Sequence, residues 1–211
     1  MGVFIDTSEQ VARKSCGGYE ILLNLHIGLS FLKMREVTYD GMTFVPYITK
    51  EQIKKRVGEL AREMEHDCKD RVPYFLCVLN GAFIFASDLF RAIEIDAEIS
   101  FIRLKSYKGT KSSGNVQEVA GLSENLHGRK IIVIEDIIDT GNTIDKLIKI
   151  IKERGAEDVK VATLLFKPQS LQKPIKPTYT GFEIPSRYVI GYGLDIDGRA
   201  RNLRDIYICK N

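Results

Sequence analysis

The stretch IIVIEDIIDTGNT (131–143) concentrates this chain's chemistry. An apolar, β-forming run leads into Glu135 and Asp136. A third acid, Asp139, follows, and then come Thr140, Gly141, Asn142 and Thr143. Two adjacent carboxylates accept hydrogen bonds from neutral hydroxyls, and a vicinal diol suits them; they repel a phosphate unless a metal intervenes. The loop 140–143 has the opposite preference. It leads into a helix that starts near Ile144, whose first N–H groups lack partners within the helix and sit at the positive end of its dipole. Thr140 and Thr143 add hydroxyl donors, and Gly141 lets backbone approach closely. This loop is either a phosphate cradle or a plain N-cap with Thr at the cap position. A ligand carrying both a phosphate and a sugar diol satisfies both halves, whereas a salt-bridged strand end is the simpler reading of the acids.

The flanking elements must place these groups. Residues 49–67 read as a helix: Thr49 and Gln52 form a capping box, and Ile53, Val57, Leu60, Ala61 and Met64 fall on one face. YFLCVL (74–79) is a continuous apolar run, the mark of a strand covered on both faces. Asn80-Gly81 turns it into a second helix over 82–93. Strands follow at 97–104 and 131–134, then a helix over 144–154, with Ile144, Leu147, Ile148 and Ile151 on one stripe and Gly155 as its stop. Further strands are expected at 159–166, 188–192 and 206–209. Residues 107–121, rich in Gly, Ser, Thr and Lys, read as a long mobile loop or hairpin. Strand, helix, strand in repetition means βαβ units and a parallel twisted sheet flanked by helices, an α/β fold. Such sheets bind ligands at the C-terminal ends of their strands, where the opening stretch lies.

The chain has 211 residues and a formal net charge of +3, which does not argue for nucleic acid. Cys16, Cys68, Cys77 and Cys209 form no C-x-x-C pair and read as buried, reduced thiols. His26, His66 and His127 share no ligand spacing, so no protein-held zinc site is expected. No apolar run reaches the ~20 residues of a membrane span. Residues 21–32 lack the features of an export signal, which leads to an expectation of a cytoplasmic protein with no membrane partner. Residues 1–33 differ from the rest and read as a dispensable N-terminal extension. The domain, 34–211, would open on a strand beginning at Met34.

IIVIEDIIDTGNT resembles the 5-phosphoribosyl-1-pyrophosphate (PRPP) binding motif of the type I phosphoribosyltransferases. The likeness extends over nearly all of residues 34–211. VLNGAFIFASDLF, LKSYKGT, LLFKP, EIPSRYVIGYGLD and RNLRDIY resemble the hypoxanthine/guanine branch in its bacterial form. The resemblance implies that fold, with a small hood and a flexible lid loop. It implies transfer of the 5-phosphoribosyl group from PRPP to N9 of hypoxanthine or guanine, giving IMP or GMP and pyrophosphate. Glu135 and Asp136 would hold the ribose hydroxyls, and Thr140, Gly141, Asn142 and Thr143 the 5′-phosphate. Some relatives carry Lys where this chain has Asn142. Asp139 would be the general acid or base near N7 of the purine. Leu79, Asn80 and Gly81, often with a cis bond, would bind pyrophosphate with Arg201, although Arg199 and Arg204 lie close by. Ser106 and Tyr107 would head the lid. Lys167, which local sequence alone reads as solvated surface, would donate to O6. Tyr188 would stack on the purine, Val189 would meet its edge with backbone, and Asp195 would lie near its exocyclic group. Mg²⁺ would be the cofactor, held near Glu135, Asp136 and Asp195 largely through water and PRPP. Relatives are commonly homodimers or homotetramers.

Other classes fit less well. A non-catalytic, nucleotide-sensing RNA-binding regulator on the same fold would keep the PRPP loop, but Lys167, Tyr188 and Asp195 and the small basic surplus argue against it. No G-x-G-x-x-G follows a strand, against a dinucleotide-binding dehydrogenase, and GTKSSG (109–114) lacks the order of a Walker loop.

Overall fold

The computed structural model describes residues 35–69, 71–104 and 125–210, and the backbone of 15–16, 19–20 and 119–120. Contacts divide the chain into Met1–Met34 and Arg35–Asn211. In the first unit β1 (Ser15–Cys16) pairs antiparallel with β2 (Tyr19–Glu20).

The second unit is built on a six-stranded sheet, in the order β10-β9-β8-β5-β6-β7. Its strands are β5 (Tyr74–Leu79), β6 (Glu98–Leu104), β7 (Val119–Ala120), β8 (Lys130–Ile138), β9 (Asp158–Phe166) and β10 (Tyr179–Glu183). All pairings are parallel except that of β7 with β6. Side chains alternate between the two faces. Phe75 and Cys77 of β5 join Ile132 and Ile134 of β8 on the side covered by α1 (Lys50–Asp67) and α2 (Phe83–Ala92). Tyr74, Leu76 and Val78 join Ile131 and Val133 on the side covered by α3 (Asn142–Glu153). The α3 stripe of Ile144, Leu147 and Ile151 is buried there, each side chain contributing about 1.5–3 kcal/mol. The capping box of α1 is present: Thr49 Oγ1 accepts from the Gln52 N–H at 3.2 Å, and Gln52 Oε1 accepts from the Thr49 N–H at 2.8 Å.

A four-stranded antiparallel sheet, β11-β12-β4-β3, forms the hood. Here the sequence expectation needs correction. The segment after Met34 is a hairpin of β3 (Val37–Tyr39) and β4 (Met42–Ile48), because Asp40 and Gly41 both take positive φ and reverse the chain. β12 (Ile206–Cys209) is as expected, but the strand expected at 188–192 is only β11 (Val189–Ile190). The left-handed run Gly191, Tyr192 and Gly193 stops it. β10 was not foreseen: YTGFE has no apolar run, and parallel pairing to β9 makes it a strand. The expected loop 107–121 lies outside the described residues apart from β7. Among the described residues, no helix is long and apolar enough to cross a membrane.

Candidate functional site

The C-terminal edge of the parallel sheet gathers the segments singled out above. β5 ends at Leu79, whose peptide bond to Asn80 is cis, and Gly81 leads towards α2. β8 does not stop before its acids. It continues to Ile138, so Glu135 and Asp136 are strand residues. The pairing explains the extension: β9 stays beside β8 to Ile138, whereas the recorded pairing of β5 with β8 ends at Ile134. The acids thus flank the gap that opens where β5 turns away. Gly81 is required by close approach: a Cβ there would lie 1.6 Å from Asp136 Oδ2.

Glu135 is 8% exposed, and its Oε2 has no hydrogen-bond partner among the described residues. Burial, reinforced by the neighbouring Asp136 charge, pushes its pKa well up. Burial also pushes Asp136 up to about 6, against the lowering effect of the Ile137 N–H and the Arg201 charge. The Asp136 carboxylate accepts from the Ile137 N–H at 2.9 Å. An unpaired buried acceptor beside a second carboxylate is costly, and a ligand bringing hydroxyl donors or a cation offsets that cost. The same surroundings push the Cys77 thiol up to about 12, chiefly through burial, so it is an inert core group.

β8 gives way to Asp139 and the loop 140–143. Asp139 is half-exposed and forms an ion pair of 2.7 Å with Lys167 Nζ. Lys167 is 6% exposed, so it is not the solvated lysine that local sequence suggests. It follows β9 directly, and its N–H donates to the Ile138 carbonyl at 2.9 Å. Gly141, at φ 78°, is the N-cap of α3, and no side chain caps it. The N-cap is thus a glycine rather than a Thr; the Asn142 N–H donates to Thr140 Oγ1 at 3.4 Å, and the remaining first-turn N–H groups lie at the positive end of the helix dipole. Asn142 is the first helical residue, and its Nδ2 donates to Thr140 Oγ1 at 3.1 Å and to Gln172 Oε1 at 3.0 Å. Thr143 lies in the first turn of the helix. Gln172 also donates its N–H to the Thr140 carbonyl at 2.9 Å. This buttress is too distant in sequence for any local pattern to reveal.

On the hood side, Tyr188 is 45% exposed, and its hydroxyl donates to the Asp195 carbonyl at 2.9 Å. Val189 is buried in β11, paired with Ile208. Asp195 forms an ion pair of 2.8 Å with Arg201 and accepts from the Gly198 N–H at 2.7 Å. The three neighbouring arginines separate: Arg201 stands by Asp195 and bears on Asp136, Arg199 pairs with Asp40, and Arg204 lines a cavity beside α1 and α2. Among the described residues, no group of three or more Asp, Glu, His or Cys could hold a metal alone. Glu135, Asp136 and Asp195 do not form such a cluster, because successive strand residues diverge and Asp195 comes from another segment. Ser106 and Tyr107 lie outside the described residues.

This edge thus brings together a strand-borne acid pair, a helix start with glycine at its N-cap, a buried lysine paired with a half-exposed aspartate, and an arginine–aspartate pair. Comparison with known proteins identifies the family. Residues 47–197 match the phosphoribosyl transferase domain family. The chain is 40% identical over 164 residues to a hypoxanthine-guanine phosphoribosyltransferase of Bacillus subtilis (strain 168), covering 77% of this chain and 91% of that protein. It is also 40% identical, over 76% of this chain and 88% of the relative, to a hypoxanthine-guanine-xanthine phosphoribosyltransferase of Tritrichomonas foetus. A crystal structure of the hypoxanthine-guanine enzyme of Bacillus anthracis str. 'Ames Ancestor', with a HEPES molecule in its active site, matches with a TM-score of 0.71 at 35% identity, over 78% of this chain and 97% of that one. A hypoxanthine phosphoribosyltransferase from Staphylococcus aureus matches with a TM-score of 0.74 at 32% identity, over 79% and 91%. The chain therefore belongs to the phosphoribosyltransferase family, on the branch of the hypoxanthine-guanine enzymes.

Proposed function

We propose that the protein transfers the 5-phosphoribosyl group of PRPP to N9 of hypoxanthine or guanine, releasing pyrophosphate and IMP or GMP. The ion pair between Lys167 and Asp139 carries this reading. It sets a buried donor beside a half-exposed carboxylate, next to the acid pair of β8 and the start of α3. A 6-oxopurine offers an acceptor at O6 for Lys167 and a ring proton at N7 for Asp139. Adenine presents a donor where Lys167 needs an acceptor.

The groups then divide the work. Glu135 and Asp136 accept from the ribose hydroxyls, and the orphaned Glu135 Oε2 supports that assignment. The N–H groups and hydroxyls of Thr140 to Thr143 hold the 5′-phosphate. The backbone of 79–81 and Arg201 hold the pyrophosphate. Tyr188 covers the purine face, Val189 meets its edge through backbone, and the Asp195 backbone lies near its exocyclic group. As the C1–O bond breaks, its electron pair leaves with pyrophosphate. The N9 lone pair forms the new bond to C1, and Asp139 takes the proton lost from the ring. Orientation and fixed charge do the work, with no covalent intermediate.

The oxygen-only, anionic side chains of Glu135, Asp136 and Asp195 fit Mg²⁺, with water and PRPP oxygens completing its shell. When bound, Mg²⁺ supplies positive charge that stabilises the departing pyrophosphate. We extend the proposal to a homodimer or homotetramer; half-exposed Phe83 and Phe101 offer apolar surface of the kind an assembly covers.

Incubation with PRPP, Mg²⁺ and each of hypoxanthine, guanine, xanthine and adenine tests the reading. IMP and GMP form from the first two, and adenine yields nothing. Failure with both hypoxanthine and guanine overturns it. The xanthine arm shows whether this chain shares the broader range named for the Tritrichomonas relative.

A further inference from the structure

Tyr192 holds a backbone conformation that its own Cβ disfavours. Its φ is 50°, between Gly191 at 96° and Gly193 at 100°. Contacts on several sides hold it there. Gly191 and Leu194 exchange backbone hydrogen bonds of 3.1 Å. The Tyr192 N–H donates to the Leu203 carbonyl at 2.8 Å, and the Gly193 N–H to the Arg201 carbonyl at 3.0 Å. Arg201 Nη1 returns a bond to the Gly193 carbonyl at 2.5 Å. Gly193 also packs on the loop after β5: a Cβ at Gly193 would lie 2.2 Å from the Gly81 carbonyl oxygen.

The phenol supplies the last tie. It is buried, and its hydroxyl donates to Asp88 Oδ2 at 2.6 Å. Asp88 lies on α2, the helix into which Gly81 leads. Burial and the Asp88 carboxylate both push the phenol pKa up, which keeps the hydroxyl a donor. The turn is thus fixed to α2 by Tyr192 and to Gly81 by Gly193. From the same turn the chain runs into Asp195, and Arg201 is bound back onto it.

We propose that Tyr192 and Asp88, which touch no substrate, are positioning residues. They hold the loop 79–81 and the Asp195–Arg201 pair at the separation that one pyrophosphate group spans. The inference rests on the function proposed above. Of the groups assigned to the purine, Lys167 follows β9, and Tyr188 and Val189 are tied to β12 by backbone bonds; only the Asp195 backbone adjoins the turn. The effect therefore falls mainly on PRPP and pyrophosphate and much less on the base.

Tyr192→Phe keeps the ring and removes only the hydroxyl. PRPP binding with Mg²⁺ is read by isothermal titration calorimetry. The KM values for PRPP, and for guanine at saturating PRPP, are read by steady-state kinetics. The PRPP Kd and KM rise about tenfold, the loss of one hydrogen bond to a charged group, while the guanine KM rises far less. Asp88→Ala has the same effect, and the double variant is no worse than either single change, since both remove one bond. Asp88→Asn, whose amide oxygen still accepts, keeps most of the affinity. Unchanged PRPP affinity in Tyr192→Phe overturns the inference. So do equal losses for PRPP and guanine, the mark of a merely structural bond. Calorimetry needs no turnover. A wild-type protein that binds PRPP but makes no IMP or GMP sinks the proposed function, while the Tyr192 comparison still decides the positioning role. A wild-type protein that does not bind PRPP overturns both.

Discussion

Lys167 Nζ stands 2.7 Å from Asp139 Oδ2, so the donor proposed to read O6 and the carboxylate proposed to take the ring proton share one ion pair. Lys167 is buried and Asp139 half-exposed, so the lysine is the fixed member and the carboxylate has room to turn towards a ring nitrogen. Asp139→Asn keeps the shape and an acceptor for Lys167 but removes the base. Its kcat falls by about 10²–10⁴-fold, the usual worth of a positioned acid or base. PRPP affinity stays near wild type, because the 5′-phosphate cradle does not use this side chain. Steady-state kinetics with calorimetry separate the two effects, and normal turnover removes Asp139 from the chemistry.

Lys167→Met tests the other member. A hydrogen bond from a charged donor contributes about 1.5–3 kcal/mol, so kcat/KM for guanine falls roughly ten- to hundredfold. Adenine gains nothing and loses nothing, and the guanine-to-adenine ratio falls by the same factor. The kcat/KM ratio measured for both bases decides it; an unchanged ratio means that another donor reads O6.

Much of this arrangement is legible in local sequence. YFLCVL announces a strand covered on both faces, the α1 and α3 stripes announce amphipathic helices, and the acid pair with its hydroxyl–glycine loop marks the sheet edge where the candidate site lies. What was not legible depends on long-range contact. Lys167 is buried with its N–H on the Ile138 carbonyl and its ammonium on Asp139, contacts that no periodicity near residue 167 records. Gln172 reaches Asn142 across 30 positions and Tyr192 reaches Asp88 across 104. Tyr179–Glu183 has no apolar run and becomes a strand only because β9 offers a parallel edge.

Residues 1–33 make a separate prediction. The family match begins at residue 47, and every residue assigned to the site follows Met34 in sequence. A chain beginning at Met34 retains the phosphoribosyl transfer and the thermal midpoint of the full chain. Activity assay and thermal melt check both, and an insoluble or inactive product would show that the extension is needed.

Gly81→Ala places a methyl group 1.6 Å from Asp136 Oδ2 and 2.4 Å from its carboxyl carbon, so the acid must move. Forcing an extra methyl into packed structure costs about 1–3 kcal/mol. A displaced Asp136 leaves the position proposed to meet the ribose hydroxyls, and PRPP affinity falls by roughly tenfold or more, since each 1.4 kcal/mol is about a factor of ten. Calorimetry on folded variant, with circular dichroism as control, reads the loss. Wild-type affinity would mean that Asp136 does not hold the ribose.

Asp136 links the site to pH. Burial raises its pKa from 3.8 to about 6, so the folded protein holds a proton that the unfolded chain releases. The sign follows: the contribution to stability is complete below about pH 4 and is lost as pH rises through about 6. Glu135 shifts in the same direction. Asp136→Asn removes this titration while keeping an acceptor for the Ile137 N–H. At about pH 7.5 the unliganded variant melts higher than wild type, by on the order of 5 °C, and the gap closes as pH falls towards about 4. The same variant binds PRPP poorly, because an amide cannot accept from the ribose hydroxyls as a carboxylate does. Thermal melts across this pH range check the prediction; a gap that stays constant with pH would show that Asp136 is not the group destabilised by its own charge.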